Sequence, residues 1–190
     1  MEILFATANV NKIREAAQIL GNSFSIVTPS EYGIMEEIPE TAATIGENAV
    51  MKAEFVRKMT GMTCFADDTG LEVVALNGAP GVYSARYASD IYDPAENTRK
   101  LLHELDGITD RRARFVTIIA LITDEGIHLF EGVLNGRITE SASGDGGFGY
   151  DPVFVPEGYS QTLAQISPEE KNRISHRGVA LRKLSVFLRK

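Results

Sequence analysis

Phe65-Ala66-Asp67-Asp68-Thr69-Gly70-Leu71-Glu72-Val73 is an apolar run that stops on two adjacent carboxylates and a turn, after which hydrophobic alternation resumes. In extended backbone, neighbouring side chains point to opposite faces, so Asp67 and Asp68 divide their work. One faces a site and the other braces the backbone. Hard divalent cations such as Mg2+ take carboxylate oxygens and keep positions open for substrate phosphates, so the natural partner of this pair is a phosphorylated ligand. A solvated Asp-rich turn ahead of Gly70 is the competing reading.

Towards the N-terminus, the apolar run Glu2 to Thr7 enters Ala8-Asn9-Val10-Asn11-Lys12, and Ile13, Ala16, Ala17 and Leu20 then recur at helical spacing. This is a strand, a turn and a helix. The unpaired N–H groups and the dipole of a helix N-terminus favour anions, so Thr7, Asn9 and Lys12 surround a phosphate seat. The alternative is an Asn cap followed by a solvated Lys; the Walker pattern GxxxxGK[ST] is absent. Phe24 to Thr28 reads as a second strand, and the stretch from Pro29 to Thr44 as an acidic loop. A helix follows from Thr44, with Glu47 closing a capping box, through Ala49, Lys52, Ala53 and Val56 to about Thr60. Glu37 or Glu40 in the acidic loop becomes a second metal carboxylate if the fold brings it near Asp68.

Towards the C-terminus, a strand from Leu71 to Leu76 runs into the turn Asn77 to Gly81, and Asp93-Pro94 to Leu105 has the start signals of a helix. Arg114 to Asp124 and Gly126 to Val133 read as an antiparallel hairpin, which fits a mixed sheet better than a parallel one. Gly144-Asp145-Gly146-Gly147-Phe148-Gly149 matches GxGxxG on paper. In the dinucleotide fingerprint a helix begins at the last glycine, whereas Tyr150-Asp151-Pro152 and a strand over Val153-Phe154-Val155 follow here, so the match is refused. The glycines instead make a flexible loop that presents Phe148 beside Tyr150 and Asp151, suited to a planar base; a Gly-rich hairpin with a core Phe is the alternative. A final helix opens with Ser167 as N-cap, Pro168 at N1 and Glu170 at N3, and continues through Gly178 with Ile174, Leu181, Leu184 and Leu188 as its buried stripe. Lys171, His176 and Arg177 are donors for phosphate or for base carbonyls.

At 190 residues, 44% hydrophobic and 24% charged, the chain fits one domain with a real core. Its single cysteine, Cys64, excludes an intrachain disulfide and a Cys-rich zinc site, and makes a reducing cytoplasm the expected compartment. No signal segment or membrane-length apolar run is visible. A formal charge of −7 argues against nucleic acid and anionic membranes as partners. From Glu15 to Met51 there is no Lys or Arg, whereas Lys171, Arg173, Arg177, Arg182, Lys183, Arg189 and Lys190 crowd the C-terminal stretch. No GxSxG elbow supports a serine hydrolase.

Six stretches in order carry a resemblance: Thr7-Ala8-Asn9-Val10-Asn11-Lys12; Glu47-Asn48-Ala49 with Lys52-Ala53; Ala66 to Leu71; Pro80-Gly81-Val82-Tyr83-Ser84-Ala85-Arg86; Gly147-Phe148-Gly149-Tyr150-Asp151-Pro152; and Glu170-Lys171-Asn172 with Ser175-His176-Arg177. Together, over nearly the whole chain, they resemble the inosine triphosphate pyrophosphatase family. The resemblance implies an elongated mixed α/β fold of two lobes with a central cleft, a homodimer, and Mg2+-dependent hydrolysis of ITP, dITP and XTP to the monophosphate and pyrophosphate. By position it implies Asp68 as the catalytic and metal-binding carboxylate, with Glu40 or Glu37 as its companion. Thr7, Ala8, Asn9, Val10, Asn11, Lys12, Lys52, Thr69, Phe148, Gly149, Tyr150, Asp151, Lys171, His176 and Arg177 would contact the nucleotide. Three places depart from the family pattern. Thr41 to Gly46 replaces the usual Thr-Gly-x-Thr-Phe-x, Thr69 stands where Ser is commoner, and Ser143 stands where Arg often precedes the Gly-rich loop. A nucleotide-binding regulator without turnover, and a relative of the Maf-like septum-inhibition proteins, are the other classes open to such a chain.

Overall fold

Parallel strands need a crossover between them, and the N-terminal part of the chain supplies two. In the computed structural model, β1 (Glu2–Phe5), α1 (Val10–Leu20), β2 (Ser25–Val27), α2 (Ile45–Thr60) and β3 (Cys64–Val73) follow one another. β1 pairs in parallel with both other strands, Glu2 opposite Ser25 and Leu4 opposite Cys64. Residues 2–189 are described, without the side chain of Asn22; Lys190 of the basic C-terminal stretch lies outside the described residues. Asn9 caps α1 by accepting the N–H groups of Asn11 and Lys12, and Thr44 caps α2 by accepting the N–H of Glu47 at 3.2 Å. The Glu47 carboxylate takes the Thr44 hydroxyl at 2.9 Å, not the cap backbone expected of a full capping box.

β3 corrects the expected turn at Thr69-Gly70, for it runs unbroken through the Asp pair and ends at Val73, short of Leu76. Pairing explains this. Leu71 and Glu72 lie opposite Gly81 and Pro80 of the antiparallel β4 (Pro80–Gly81), and the Leu71 N–H donates to Ser84 Oγ at 2.8 Å. After α3 (Pro94–Glu104), which Asp93 caps, come β5 (Arg112–Thr123) and β6 (Gly126–Ile138). These two are neighbours joined by Asp124 and Glu125 alone, a link only an antiparallel hairpin can use. β6 then pairs antiparallel with β7 (Phe154–Pro156), giving the mixed order β2-β1-β3-β5-β6-β7 with β4 beside β3.

The C-terminal segment is two helices, not the single one expected. α4 (Pro168–Ile174) and α5 (His176–Leu188) are separated by Ser175 in extended backbone, φ −64° and ψ 152°. Ser167 caps α4 as expected, while the Glu170 carboxylate turns away to Arg173 and Tyr159 and leaves the capping box half made. Among the described residues no helix is long and apolar enough to cross a membrane.

The chain divides into two compact units. The first holds residues up to Asp68, Thr117–Gly132 and the segment from His176 on; the second holds Thr69–Val116 and Val133–Ser175. In the first unit β1 and β3 are buried on both faces, which is why they read as near-continuous apolar runs, whereas β6 alternates towards solvent. Ile3, Phe5 and Phe65 pack with Ala16 and Leu20 of α1 and Leu181 and Leu184 of α5, the Phe5 and Phe65 rings stacking at 4.3 Å. Leu4, Ala6, Cys64 and Ala66 pack on the other side with Ala49, Ala53 and Val56 of α2. The core of the second unit joins Leu71, Val73, Phe115 and Ile138 of its strands to Leu101 and Leu105 of α3, with Tyr150, Phe154 and Leu163.

Candidate functional site

The alternation of β3 decides what each carboxylate meets. Phe65 belongs to the layer of α1 and α5, whereas Cys64 and Ala66 belong to the layer of α2. Two residues beyond Phe65, Asp67 therefore falls on the α1/α5 side, and two beyond Ala66, Asp68 falls on the α2 side.

Asp67 is 1% exposed and bridges two cations. Its Oδ1 accepts from Lys12 Nζ and its Oδ2 from Arg177 Nε, both at 2.8 Å. Arg177 Nη1 continues to Glu15 Oε2 at 2.6 Å. Burial pushes the Asp67 carboxyl up, but Lys12, Arg177 and Lys52 outweigh it and hold the group well below the usual carboxylate range. Burial opposes the charge of Arg177 too, and Asp67 and Glu15 together raise its pKa. For Lys12 burial prevails over the attraction of Asp67 and Asp68, with Lys52 and Arg177 adding to it, so its pKa is lowered.

Asp68 has a different neighbour. Lys52 Nζ of α2 donates to Asp68 Oδ1 at 3.2 Å and to Glu40 Oε1 at 2.5 Å, so one ammonium joins two carboxylates. Burial raises the Asp68 pKa; Lys52 and Lys12 oppose it and the Glu40 and Asp67 charges reinforce it, leaving the group above the ordinary carboxylate value. Burial would lower Lys52, but Asp68, Glu40 and Asp67 outweigh it and raise its pKa. Of the two glutamates left open by the sequence, Glu40 is the one brought to Asp68, while Glu37 is exposed. Two hard carboxylate oxygens already sharing one cation are a donor set that fits Mg2+, although among the described residues no three His, Cys, Asp or Glu side chains form a ready cage. The lone cysteine is no nucleophile: burial pushes the Cys64 thiol to about 11, and its Sγ donates to the Ala53 carbonyl.

In the second unit the Gly-rich stretch, expected as a flexible loop, is tied down by hydrogen bonds. Gly146 N–H donates to the Ala164 carbonyl at 3.0 Å, Ser143 N–H to the Pro152 carbonyl at 2.8 Å, and Thr162 Oγ1 to the Ser143 carbonyl at 2.6 Å. Ser143 thus anchors the loop through its backbone. Gly147, at φ +70°, leaves no room for a side chain, because a Cβ there would lie 2.1 Å from Asp151 Oδ2. That oxygen accepts the Phe148 N–H and Lys171 Nζ, each at 2.7 Å, and Nζ stands 4.6 Å from the centre of the Phe148 ring. Tyr150 is buried and its hydroxyl donates to the Ser84 carbonyl at 2.8 Å; Thr69 is half-buried in β3.

A model of the Ham1 family matches residues 3–187. The chain belongs to the Ham1 family. This Ham1 chain is 51% identical, over the full length of both, to a protein of Flavobacterium psychrophilum named dITP/XTP pyrophosphatase. It is also 51% identical to one of that name from Porphyromonas gingivalis, covering 98% of this chain and 97% of the relative. The solved Staphylococcus aureus Ham1 protein superposes with a TM-score of 0.90 at 40% identity, covering 100% of this chain and 98% of that one. The resemblance read from the six motifs is borne out, as is the mixed α/β fold.

Within this Ham1 fold, the expected residues fall into two groups, each inside one unit. Thr7, Ala8, Asn9, Val10, Asn11, Lys12, Glu40, Lys52, Asp68, His176 and Arg177 lie in the first, and Thr69, Phe148, Gly149, Tyr150, Asp151 and Lys171 in the second. Several hold structure as well. Asn9 caps α1, Thr7 Oγ1 accepts the Asn9 N–H at 3.1 Å, Asp151 caps the loop, and Arg177, 2% exposed, braces Asp67. Sequence reasoning missed Glu15 altogether. Its signal was its place three residues after Lys12 on the same helix, but its partner stands 162 positions away. A cavity of about 800 Å3 in the second unit, lined by Arg112, Arg114, Arg137 and Glu72 among others, holds none of the site residues expected from the sequence.

Proposed function

We propose that this chain hydrolyses noncanonical purine nucleoside triphosphates, ITP, dITP and XTP, to the monophosphate and pyrophosphate, and so clears them from the nucleotide pool. The observation that carries the reading is Asp68: a buried carboxylate of raised pKa, tied through Lys52 to Glu40, in a chain half identical to proteins named dITP/XTP pyrophosphatase. A carboxylate easier to protonate than usual is a better base for a water.

Triphosphate hydrolysis is slow in water because the phosphate oxygens repel a nucleophile, so the protein must neutralise them and place a water in line. In the first unit, Lys12 and the backbone N–H groups of Ala8 and Val10 at the α1 N-terminus would take the phosphates, since those of Thr7, Asn9, Asn11 and Lys12 are already donated. Asp68 would accept the proton of the attacking water, held by Lys52. Mg2+ bound to Asp68 and Glu40 would supply further neutralisation and a more acidic water. In the second unit, the Phe148 ring would stack on the purine, with Thr69 and Lys171 as polar contacts. The Phe148 and Asp151 N–H groups are already taken, so those of Gly149 and Tyr150 are the loop donors for O6, an acceptor in hypoxanthine and xanthine and an amino donor in adenine. In the first unit His176 would be a further side-chain donor, with Arg177, held by Asp67 and Glu15, as a brace.

The homodimer and the cytoplasmic setting rest on the family resemblance and on one buried free thiol, and both units act as one pyrophosphatase domain. A panel of ITP, dITP, XTP, GTP, ATP and pyrimidine triphosphates, with pyrophosphate detection and with and without Mg2+, tests the reading. ITP, dITP and XTP should lead and activity should vanish in chelator; a pyrimidine preference would point to the Maf-like class. In heavy-oxygen water the label should enter the monophosphate. Labelled orthophosphate with accumulating diphosphate would overturn attack at the α-phosphorus.

A further inference from the structure

Lys12 and Glu15 sit three residues apart on α1, on one face of the helix, and the two oppositely charged residues between their ends come from far along the chain, Asp67 from β3 and Arg177 from the first turn of α5. The result is a closed ring: Lys12 Nζ to Asp67 Oδ1, Asp67 Oδ2 to Arg177 Nε, Arg177 Nη1 to Glu15 Oε2, and α1 back to Lys12. We propose that Glu15 is a positioning residue for the triphosphate, fixing through Arg177 and Asp67 the direction in which Lys12 presents its ammonium. The proposal rests on the reading of Lys12 as a phosphate ligand.

Charge balance gives the reason. Asp67 alone faces two cations in a site where it is 1% exposed and Arg177 2%, and a buried excess positive charge is costly. Glu15 supplies the second carboxylate, so two anions meet two cations. Without it, Arg177 would draw harder on Asp67, and the carboxylate would turn from Lys12 towards the guanidinium, the better bidentate partner. Lys12 holds Asp67 with one of the three donors of its ammonium, so the others can meet phosphate oxygens while the first keeps the side chain aimed. Asp68 and Lys52, on the opposite side of β3, lie outside the ring.

Binding without turnover tests this independently of catalysis. In chelator, the Kd of inosine triphosphate and of inosine monophosphate is measured by calorimetry for the wild-type chain, Glu15→Gln, Glu15→Asp, Lys12→Met and the double variant Lys12→Met with Glu15→Gln. Glu15→Gln should weaken the triphosphate about tenfold and the monophosphate less than twofold. Glu15→Asp, which keeps the charge, should recover part of the loss. In the Lys12→Met background, Glu15→Gln should change nothing further. Equal weakening of both ligands, or an undiminished effect without Lys12, would reduce Glu15 to a structural role and overturn the proposal, as would a wild-type chain that binds no triphosphate. If Glu15→Gln does not fold, Glu15→Asp carries the same comparison. A wild-type chain that binds the triphosphate but releases no pyrophosphate would sink the pyrophosphatase reading and leave this one standing on its own data.

Discussion

Two buried aspartates, one in each unit, do different work with the same first bond. Asp67 and Asp151 each take a lysine ammonium, at 2.8 and 2.7 Å, but Asp67 gives its other oxygen to the Arg177 guanidinium, whereas Asp151 uses the oxygen already on Lys171 to hold the Phe148 N–H. The first region is a ring of side-chain charges joining three elements. The second is a loop whose backbone is bent onto a carboxylate, which only a residue lacking Cβ at position 147 allows. Charge fixes direction in the first unit; backbone shape fixes it in the second.

The largest expected effect separates chemistry from binding. Asp68→Asn should lower kcat by about a thousandfold or more, roughly 4 kcal/mol of barrier, with the melting temperature nearly unchanged, whereas Asp151→Asn should act mainly on KM. Steady-state kinetics check both, and an Asp68→Asn enzyme within tenfold of wild type would remove Asp68 from the mechanism.

Next comes the ring itself. Asp67→Asn leaves two buried cations facing one carboxylate and should cost about 5 kcal/mol in urea unfolding, against about 3 for Asp151→Asn, which strands a single buried ammonium, Lys171, together with the Phe148 N–H. Equal losses would erase the distinction between the regions. The acid limb sharpens it. Because the folded pKa of Asp67 is depressed, its stabilisation is complete above the unfolded carboxylate range and fades as pH falls below about 4 towards the folded value. Asp68, raised when folded, contributes with the opposite sign: its share of stability falls as pH rises from the unfolded range through its folded value. Asp67→Asn should flatten the acid fall in a pH series of melting curves; an unchanged fall would place the acid sensitivity elsewhere.

The loop predictions are smaller. Gly147→Ala must accept both a positive φ and a collision with Asp151, whereas Gly149, at φ +62°, has nothing within 4 Å of the point a Cβ would occupy and bears only the backbone strain. Destabilisation of about 2 kcal/mol or more against about 1 is expected, and the order reversed would show that the loop yields easily. Smallest of all, Phe148→Ala should raise KM for ITP and GTP alike by about fivefold, near 1 kcal/mol of stacking, because a ring face does not tell one purine from another.

Most of the elements were legible because their signals are local. Asn9, Thr44, Asp93 and Ser167 cap the helices their spacing foretold, and β5 and β6 make the expected hairpin, β6 running on to Ile138 beyond the expected Val133. The errors have one character. Thr69-Gly70 looked like a turn, but β3 runs through it to pair at Leu71 and Glu72 with a segment further along the chain, and the C-terminal helix looked continuous, but it parts at Ser175, where the chain passes from the second unit to the first.

The sequence by itself determined the family, the mixed α/β class, the candidate carboxylate and the alternation that sends Asp67 and Asp68 to opposite sides of β3, since each depends on residue type and spacing along a few positions. Only the tertiary structure decided which partner each carboxylate meets: Glu40 and not Glu37 beside Asp68, Arg177 as a brace for Asp67, and Glu15 as the fourth charge of the ring. Those choices join residues up to 162 positions apart, and no local pattern carries them. They are settled by the cost of burying unbalanced charge, which is felt only when the elements have packed.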